Sequence, residues 1–193
     1  MVRVRVSTSR LCKASKDTIW SILEDVDNWT DWADPESKTH MLSHKTVKRE
    51  GNVVTCLEEE IAGGYRVKHT DRYTFYPKDK VVEEIIEGPI SGRWELTLKE
   101  NSEGTMMDWA FHIKPESLRF KIIAPIRGKS IMQGIADEYC RQLSEYAETQ
   151  QRSILSRKPI PAGSDCAIHR VCVSGATMVE DSGSSWNFFQ LFY

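Results

Sequence analysis

IAGGYRVKHTDRYTFYPKDKVVEEI, residues 61–85, has an alternation that an extended chain satisfies. Tyr65, Val67, His69, Asp71, Tyr73 and Phe75 recur at every second position, the period of a strand that turns one face inward. Gly63-Gly64 before it and Pro77-Lys78-Asp79 after it supply the residues that tight reversals need. The same punctuation continues outward at Glu50-Gly51-Asn52, Gly88-Pro89 and Asn101 to Gly104. It divides 38–114 into six extended segments, near 38–49, 53–62, 65–76, 80–87, 92–100 and 104–114. Connections this short leave no room for crossover helices, so neighbours are predicted to pair antiparallel as a meander.

The flanks complete the layout. Val2, Val4 and Val6 alternate with Arg3, Arg5 and Ser7, which adds a seventh strand over residues 2–12. Ser15 offers an N-cap, Asp17 sits in the first turn, and Ile19, Ile22, Leu23 and Val26 repeat at helical spacing until Asp27-Asn28. Trp29 and Trp32 then share a side of a second short helix that Asp34-Pro35 ends. From Ser117 to Gln150 a long helix is predicted, interrupted at Ala124-Pro125, with Ile131, Ile135, Tyr139, Leu143 and Tyr146 along one stripe. The fold class is α+β. Seven strands at about 4.8 Å spacing make a sheet roughly 30 Å wide, while a helix is about 10–12 Å across. A single helix covers such a sheet only if the sheet curls round it, which leaves an interior lined by one face of each strand.

Alternation names that lining. Trp94, Leu96 and Leu98 share a face of one strand; Thr105, Met107, Trp109, Phe111 and Ile113 share a face of the last. The predicted ligand-binding set is Trp29, Trp32, Tyr65, Val67, His69, Tyr73 and Phe75, then Trp94, Leu96, Met107, Trp109 and Phe111, then Ile131, Ile135 and Tyr139 from the helix. Aromatic walls with a few polar groups suit an apolar or amphipathic small molecule. His69 and Asp71 point the same way, and Glu59 is expected to face them from the neighbouring strand. In an apolar cavity these three are candidate acid and base groups for an aldol cyclisation or a dehydration, or else a polar anchor for a ligand head group. His40, His44 and His112 fall on faces expected to be solvated. The acidic stretches Glu58, Glu59, Glu60 and Glu83, Glu84, Glu87 read as wet strand surface that protects edges, or as a contact for a basic partner protein.

Composition excludes other classes. The 40% hydrophobic and 28% charged content is that of a globular protein that buries a core, and a net charge of -2 lacks the dense basic face that nucleic acid requires. MVRVRV has no apolar core of a signal peptide, and no run reaches a membrane span. Five cysteines with no C-x-x-C pair point to reduced thiols and a cytoplasmic setting, with Cys12, Cys56 and Cys140 acting as small buried hydrophobes. Cys166-x-x-His169-x-x-Cys172 offers three soft ligands where zinc sites use four, so no metal is expected. No nucleophile elbow, zinc-protease helix, phosphate loop or dinucleotide fingerprint is present, and no cofactor is implied. Residues 1–151 read as one domain and 152–193 as a poorly ordered or docked tail with an aromatic end at Trp186, Phe188, Phe189, Leu191 and Phe192.

The opening strand, A-S-K-D-T-I-W-S-I-L-E-D-V-D-N-W-T-D-W at 14–32, G-P-I-S-G-R-W-E-L-T-L at 88–98, G-T-M-M-D-W at 104–109 and the C-terminal helix together carry a resemblance over about residues 2–150. The chain resembles the START/pollen-allergen superfamily with its helix-grip fold, and within it the polyketide cyclase/dehydrase and lipid-transport group that includes coenzyme Q-binding proteins. The resemblance implies a deep hydrophobic cavity between sheet and long helix, its mouth formed by the short helices and a strand-loop edge. It places Trp29 and Trp32 at that mouth, while Trp20 anchors the first helix to the sheet. Binding or transport of a lipid, isoprenoid or polyketide-like molecule is the leading expectation, with transient membrane contact. A cyclase/dehydratase enzyme and a protein-interaction module working through the tail are the alternatives.

Overall fold

The computed structural model describes residues 3–157. Its seven strands are β1 (Val4–Cys12), β2 (His40–Glu50), β3 (Val53–Ala62), β4 (Tyr65–Tyr76), β5 (Lys80–Glu87), β6 (Ile90–Asn101) and β7 (Gly104–Pro115). They form one curved antiparallel sheet in the order β1-β7-β6-β5-β4-β3-β2. Because β1 and β2 lie at opposite edges, the chain between them crosses the width of the sheet. That crossing consists of α1 (Lys16–Glu24) and a 3-10 helix (Val26–Trp32).

Ser15 caps α1 by accepting a hydrogen bond from the Thr18 N–H at 3.1 Å. Ile19, Trp20 and Leu23 are buried beneath the helix, and Trp20 meets Phe75 edge-on at 6.2 Å, the anchoring role expected of it. Non-helical torsions at Asn28 kink the following segment and turn Trp29 and Trp32 inward, where they are 2% and 8% exposed.

The β3–β4 hairpin fixes the register on which the site depends. Gly63 and Gly64 have φ of +59° and +85°, the left-handed pair that a two-residue hairpin loop requires. A Cβ on Gly63 would lie 2.7 Å from Ile131 Cγ2, so the turn is also pressed against the long helix. From this turn the pairing runs Ala62 with Tyr65, Glu60 with Val67, Glu58 with His69 and Cys56 with Asp71.

The C-terminal segment comprises α2 (Leu118–Ile123), a π-turn (Ala124–Gly128) and α3 (Lys129–Arg157). The interruption predicted at Ala124-Pro125 is absorbed as the π-turn, whose wider ring accommodates a proline that has no N–H to donate. α3 packs over β1 and β7 and buries Ile135, Ala136, Tyr139, Cys140, Leu143 and Ala147. It continues past 151 to Arg157, so the boundary expected at 151 falls inside a helix. The rest of the expected tail, with its Cys166, His169 and Cys172 and its aromatic end, lies outside the described residues. Cys12, Cys56 and Cys140 are free and buried.

Candidate functional site

The interior divides into a filled end and a hollow end. Beneath α1, Phe75, Leu96, Leu98 and Met107 pack solidly with Ile19 and Trp20. Toward α3 the same sheet face opens into a chamber walled by Trp29, Trp32, Tyr73, Trp94, Trp109, Phe111, Ile135 and Tyr139. Its cavity volume is about 70 Å³. A second lobe of about 60 Å³ continues under α2 and is lined by Val67, Phe120, Ile131 and Met132. The hollow is real and narrow. A guest larger than a few water molecules requires flexible side chains such as Met41 and Met132 to move.

The aromatic walls are ordered by ring contacts. Trp94 stacks on Trp109 at 5.0 Å, Trp109 on Phe111 at 5.9 Å, and Trp29 meets Tyr73 edge-on at 4.8 Å. Trp29 Nε1 donates to Leu23 O at 3.2 Å. The indole N–H groups of Trp32 and Trp109 are buried with no partner among the described residues, leaving two donors unused in the chamber lining.

One part of the wall is polar. His69, 7% exposed, donates from Nδ1 to Asp71 Oδ2 and from Nε2 to Glu60 Oε1 at 3.2 Å. Tyr139 donates to Glu60 Oε2 and Tyr73 to Glu58 Oε1. The buried imidazole of His44 stacks on Trp29 at 5.2 Å and brings Nε2 within 2.9 Å of Glu58 Oε1, off the line that a hydrogen bond needs. Glu83, 4% exposed, lines the chamber and makes no hydrogen bond among the described residues. Four carboxyl groups and two imidazoles thus share one low-dielectric region. Glu58, His69 and Asp71 bring ligand atoms within 4.8 Å of one another, as do His44, Cys56 and Glu58.

That crowding sets the protonation states. Burial alone would lower the His69 imidazole, but its bonds to Asp71 and Glu60 outweigh burial and push it up to about 12. Burial raises Asp71 to about 7 against the bond from His69, with the Glu58 charge adding to the rise. Burial first, then the charges of Asp71 and Glu58, push the Glu83 carboxyl well above the usual carboxylate range. Tyr73 and Tyr139 are held as neutral phenols by burial and by the acids beside them. The wall therefore holds an imidazolium beside a Glu83 carboxyl that burial and its acidic neighbours bias toward the neutral acid.

The structure corrects several sequence expectations. Glu59 does not face His69: it turns to the outer face and pairs with Arg66 and with Lys68 at 3.0 Å, which lower its carboxyl. Its neighbours Glu58 and Glu60 point inward, as does Glu83, so three of the six acids expected on wet surface are buried. The signal existed: counting back from Gly63-Gly64 places Glu58 opposite His69, and opposed residues share a face. His44 and His40 are buried rather than solvated; only His112 is exposed. A β-bulge between Met41 and Ser43 shifts the phase of β2 and aims His44 at Glu58. Tyr65 lies outside the chamber, between Phe120 and the Arg119 guanidinium, and Phe75, Leu96 and Met107 belong to the filled core.

Trp29 and Trp32 sit beside a latch. Asp34 accepts a hydrogen bond from Arg141 at 2.8 Å, and Gln142 accepts one from the Asp34 N–H at 3.3 Å while donating to Thr39 O at 2.7 Å. Loop and α3 are joined there by partly buried hydrogen bonds.

The sequence profile described as polyketide cyclase / dehydrase and lipid transport matches residues 3–148. The chain belongs to that family. Solved structures share its fold at low identity. The Zhui aromatase/cyclase of Streptomyces sp. R1128 is 11% identical with a TM-score of 0.64, covering 80% of this chain and 96% of its own. Protein TTHA0849 of Thermus thermophilus is 14% identical with a TM-score of 0.64, covering 77% and 99%. A START superfamily protein of Mycobacterium smegmatis is 14% identical with a TM-score of 0.57, covering 78% and 98%. No curated protein shows a significant match. The helix-grip fold of the polyketide cyclase/dehydrase and lipid-transport family accounts for the sheet wrapped on one helix; the acids on β3 and β5 are read from this chain alone. No helix among the described residues is long and apolar enough to cross a membrane.

Proposed function

We propose that this protein binds a slender, largely apolar small molecule in the chamber, its body against the tryptophans and its polar end at the Glu58, Glu60, His69 and Glu83 wall. The observation that carries the reading is the placement of unfilled hydrogen-bonding capacity inside an aromatic hollow. The Trp32 and Trp109 N–H groups and Asp71 Oδ1 are buried without a partner among the described residues, where buried polar groups normally find one, and the buried Glu83 carboxyl borders the same hollow. Family membership supports the same reading. Of the residues predicted for binding, Trp29, Trp32, His69, Tyr73, Trp94, Trp109, Phe111, Ile135 and Tyr139 border the main chamber, and Val67 and Ile131 its second lobe. The test is native mass spectrometry of the purified full chain together with titration of an environment-sensitive naphthalene dye. A co-purifying apolar mass, or dye uptake that quenches tryptophan emission, is expected. An empty mass spectrum with no dye uptake overturns the reading.

A second reading is an acid–base enzyme of the cyclase/dehydratase kind. It is favoured by a neutral Glu83 carboxylic acid facing the chamber beside the His69–Asp71 pair, the coexistence of proton donor and fixed charge that such chemistry uses. Here Glu83 takes the place that the sequence had assigned to Glu59.

A further inference from the structure

The charge balance of the wall is unequal in a way that specifies a guest. Glu58, Glu60 and Glu83 are buried and line the chamber, Asp71 lies buried behind them, and no lysine or arginine among the described residues lines it. Three of the four acids accept hydrogen bonds: Glu58 from Tyr73, Glu60 from Tyr139 and His69, and Asp71 from His69 through Oδ2, its buried Oδ1 having no partner among the described residues. Glu83 accepts none among the described residues. In the sheet it stands in register between Tyr73 on β4 and Trp94 on β6, and Trp94 stacks on Trp109. A positive group that reaches Glu83 therefore meets a carboxylate flanked by aromatic rings, the surroundings that favour organic cations. A carboxylate guest would meet Glu58, Glu60 and Glu83 there. The free N–H groups of Trp32 and Trp109 offer a neutral oxygen a partner but supply no charge against that repulsion.

Resting on the binding reading above, we infer that the guest is a lipophilic organic cation, an amine whose ammonium group pairs with Glu83 while its apolar body lies along the tryptophans. The exchange balances. The neutral Glu83 acid gives its proton to solvent, and the ammonium takes its place as the neutralising charge. The groups that face Glu83 are Asp71, His69 and Tyr73 on β4, Glu58 and Glu60 on β3, and Tyr139 on α3. Of these His69 is the one cation, and it is already committed to Asp71 and Glu60.

Three probes of matched shape test this on the full chain by isothermal titration calorimetry: 3-phenylpropylamine, 3-phenylpropanol and 3-phenylpropanoate. The amine is expected to bind at least about tenfold more tightly than the alcohol, with the propanoate weakest, because desolvated charge pairing and ring contacts act together. Repeating the amine titration in buffers of different ionisation enthalpy should show release of close to one proton per site, by the linkage between proton and ligand. Amine affinity should accordingly rise with pH through neutrality. Glu83→Gln brings the amine-to-alcohol ratio down to about one, whereas Glu84→Gln, on the exposed face, retains the preference. Equal binding of amine and alcohol without proton release overturns the charge inference and leaves the binding reading standing. Failure of all three probes overturns both for guests of this size. A preference that survives Glu83→Gln removes Glu83 from the role. Should that variant not fold, the proton release of the unmodified protein still decides.

Discussion

Replacing Asp71 with asparagine should flatten the decline of stability between pH 4.5 and 6.5. Asp71 is fully buried, and burial holds its carboxyl near 7 instead of the ordinary 3.8, against the bond from His69. In this window the native state keeps a proton on Asp71 that the unfolded chain has released. Stability therefore falls as pH rises, by about 1.4 kcal/mol per pH unit, or about 3 kcal/mol across the window. The limits isolate the group. Carboxylates with lowered values, such as Glu138 at about 2, have changed their contribution below the ordinary glutamate value of 4.5. His69, raised from 6.5 to about 12, keeps its proton in the folded chain throughout, and in the unfolded chain it begins to lose it only toward the top of the window, in both proteins. Glu83 is raised in the same direction, in part by the Asp71 charge, so removing that charge relaxes Glu83 as well and adds to the flattening. Asp71 is mostly neutral in this window, so the altered bond from His69 offsets the variant by a similar amount at each pH and enters the slope little. Urea unfolding of both proteins at three pH values measures it: the unmodified protein should lose about 3 kcal/mol more than the variant, a midpoint difference of about 1–1.5 M for a typical m-value. Parallel profiles would refute the reasoning, since they would mean that Asp71 titrates alike in the folded and unfolded chains.

Further outcomes follow from other parts of the structure. Gly63→Ala should cost about 1–3 kcal/mol in the same unfolding assay, because φ is +59° and the new Cβ would press on Ile131. Cys12, Cys56 and Cys140 should resist iodoacetamide in the folded protein at about pH 8 and react in urea, read by peptide mapping, since burial pushes Cys56 and Cys140 up to about 12. Arg141→Ala removes the pair to Asp34 and should speed dye exchange in stopped-flow fluorescence; an unchanged rate would show that the latch does not gate entry. Tyr139→Phe takes a donor from Glu60 and should alter affinity for a bound dye, while Glu59→Gln on the outer face should not.

How far the sequence is legible depends on what each residue's signal encodes. The strands and their order were legible because alternation and turn residues act locally: Gly63-Gly64 and Pro77 mark reversals whatever surrounds them. Trp29, Trp32, Trp94 and Trp109 were legible as lining because large aromatic rings at period-two positions have one low-energy destination. Glu58-Glu59-Glu60 hides its phase because it is uniform in composition, and a one-residue change of phase exchanges the inner and outer faces. His44 was misread because a bulge in β2 breaks the alternation by which its direction was judged. Phe75, Leu96 and Met107 have the same pattern as Trp94. What separates filled core from hollow is the position of α1 above one end of the sheet, and no property of the strands records it.

Seven strands, an antiparallel meander, a terminal helix and a sheet obliged to curl are written in the chain, because each follows from short-range periodicity and from the widths of a sheet and a helix. Which glutamates are dry, how narrow the hollow is, and that Glu83 stands beside aromatic rings depend on the assembled fold. Those features arise from residues far apart in the chain meeting in a medium that screens charge poorly. Their protonation and partners are set by neighbours that no local pattern names.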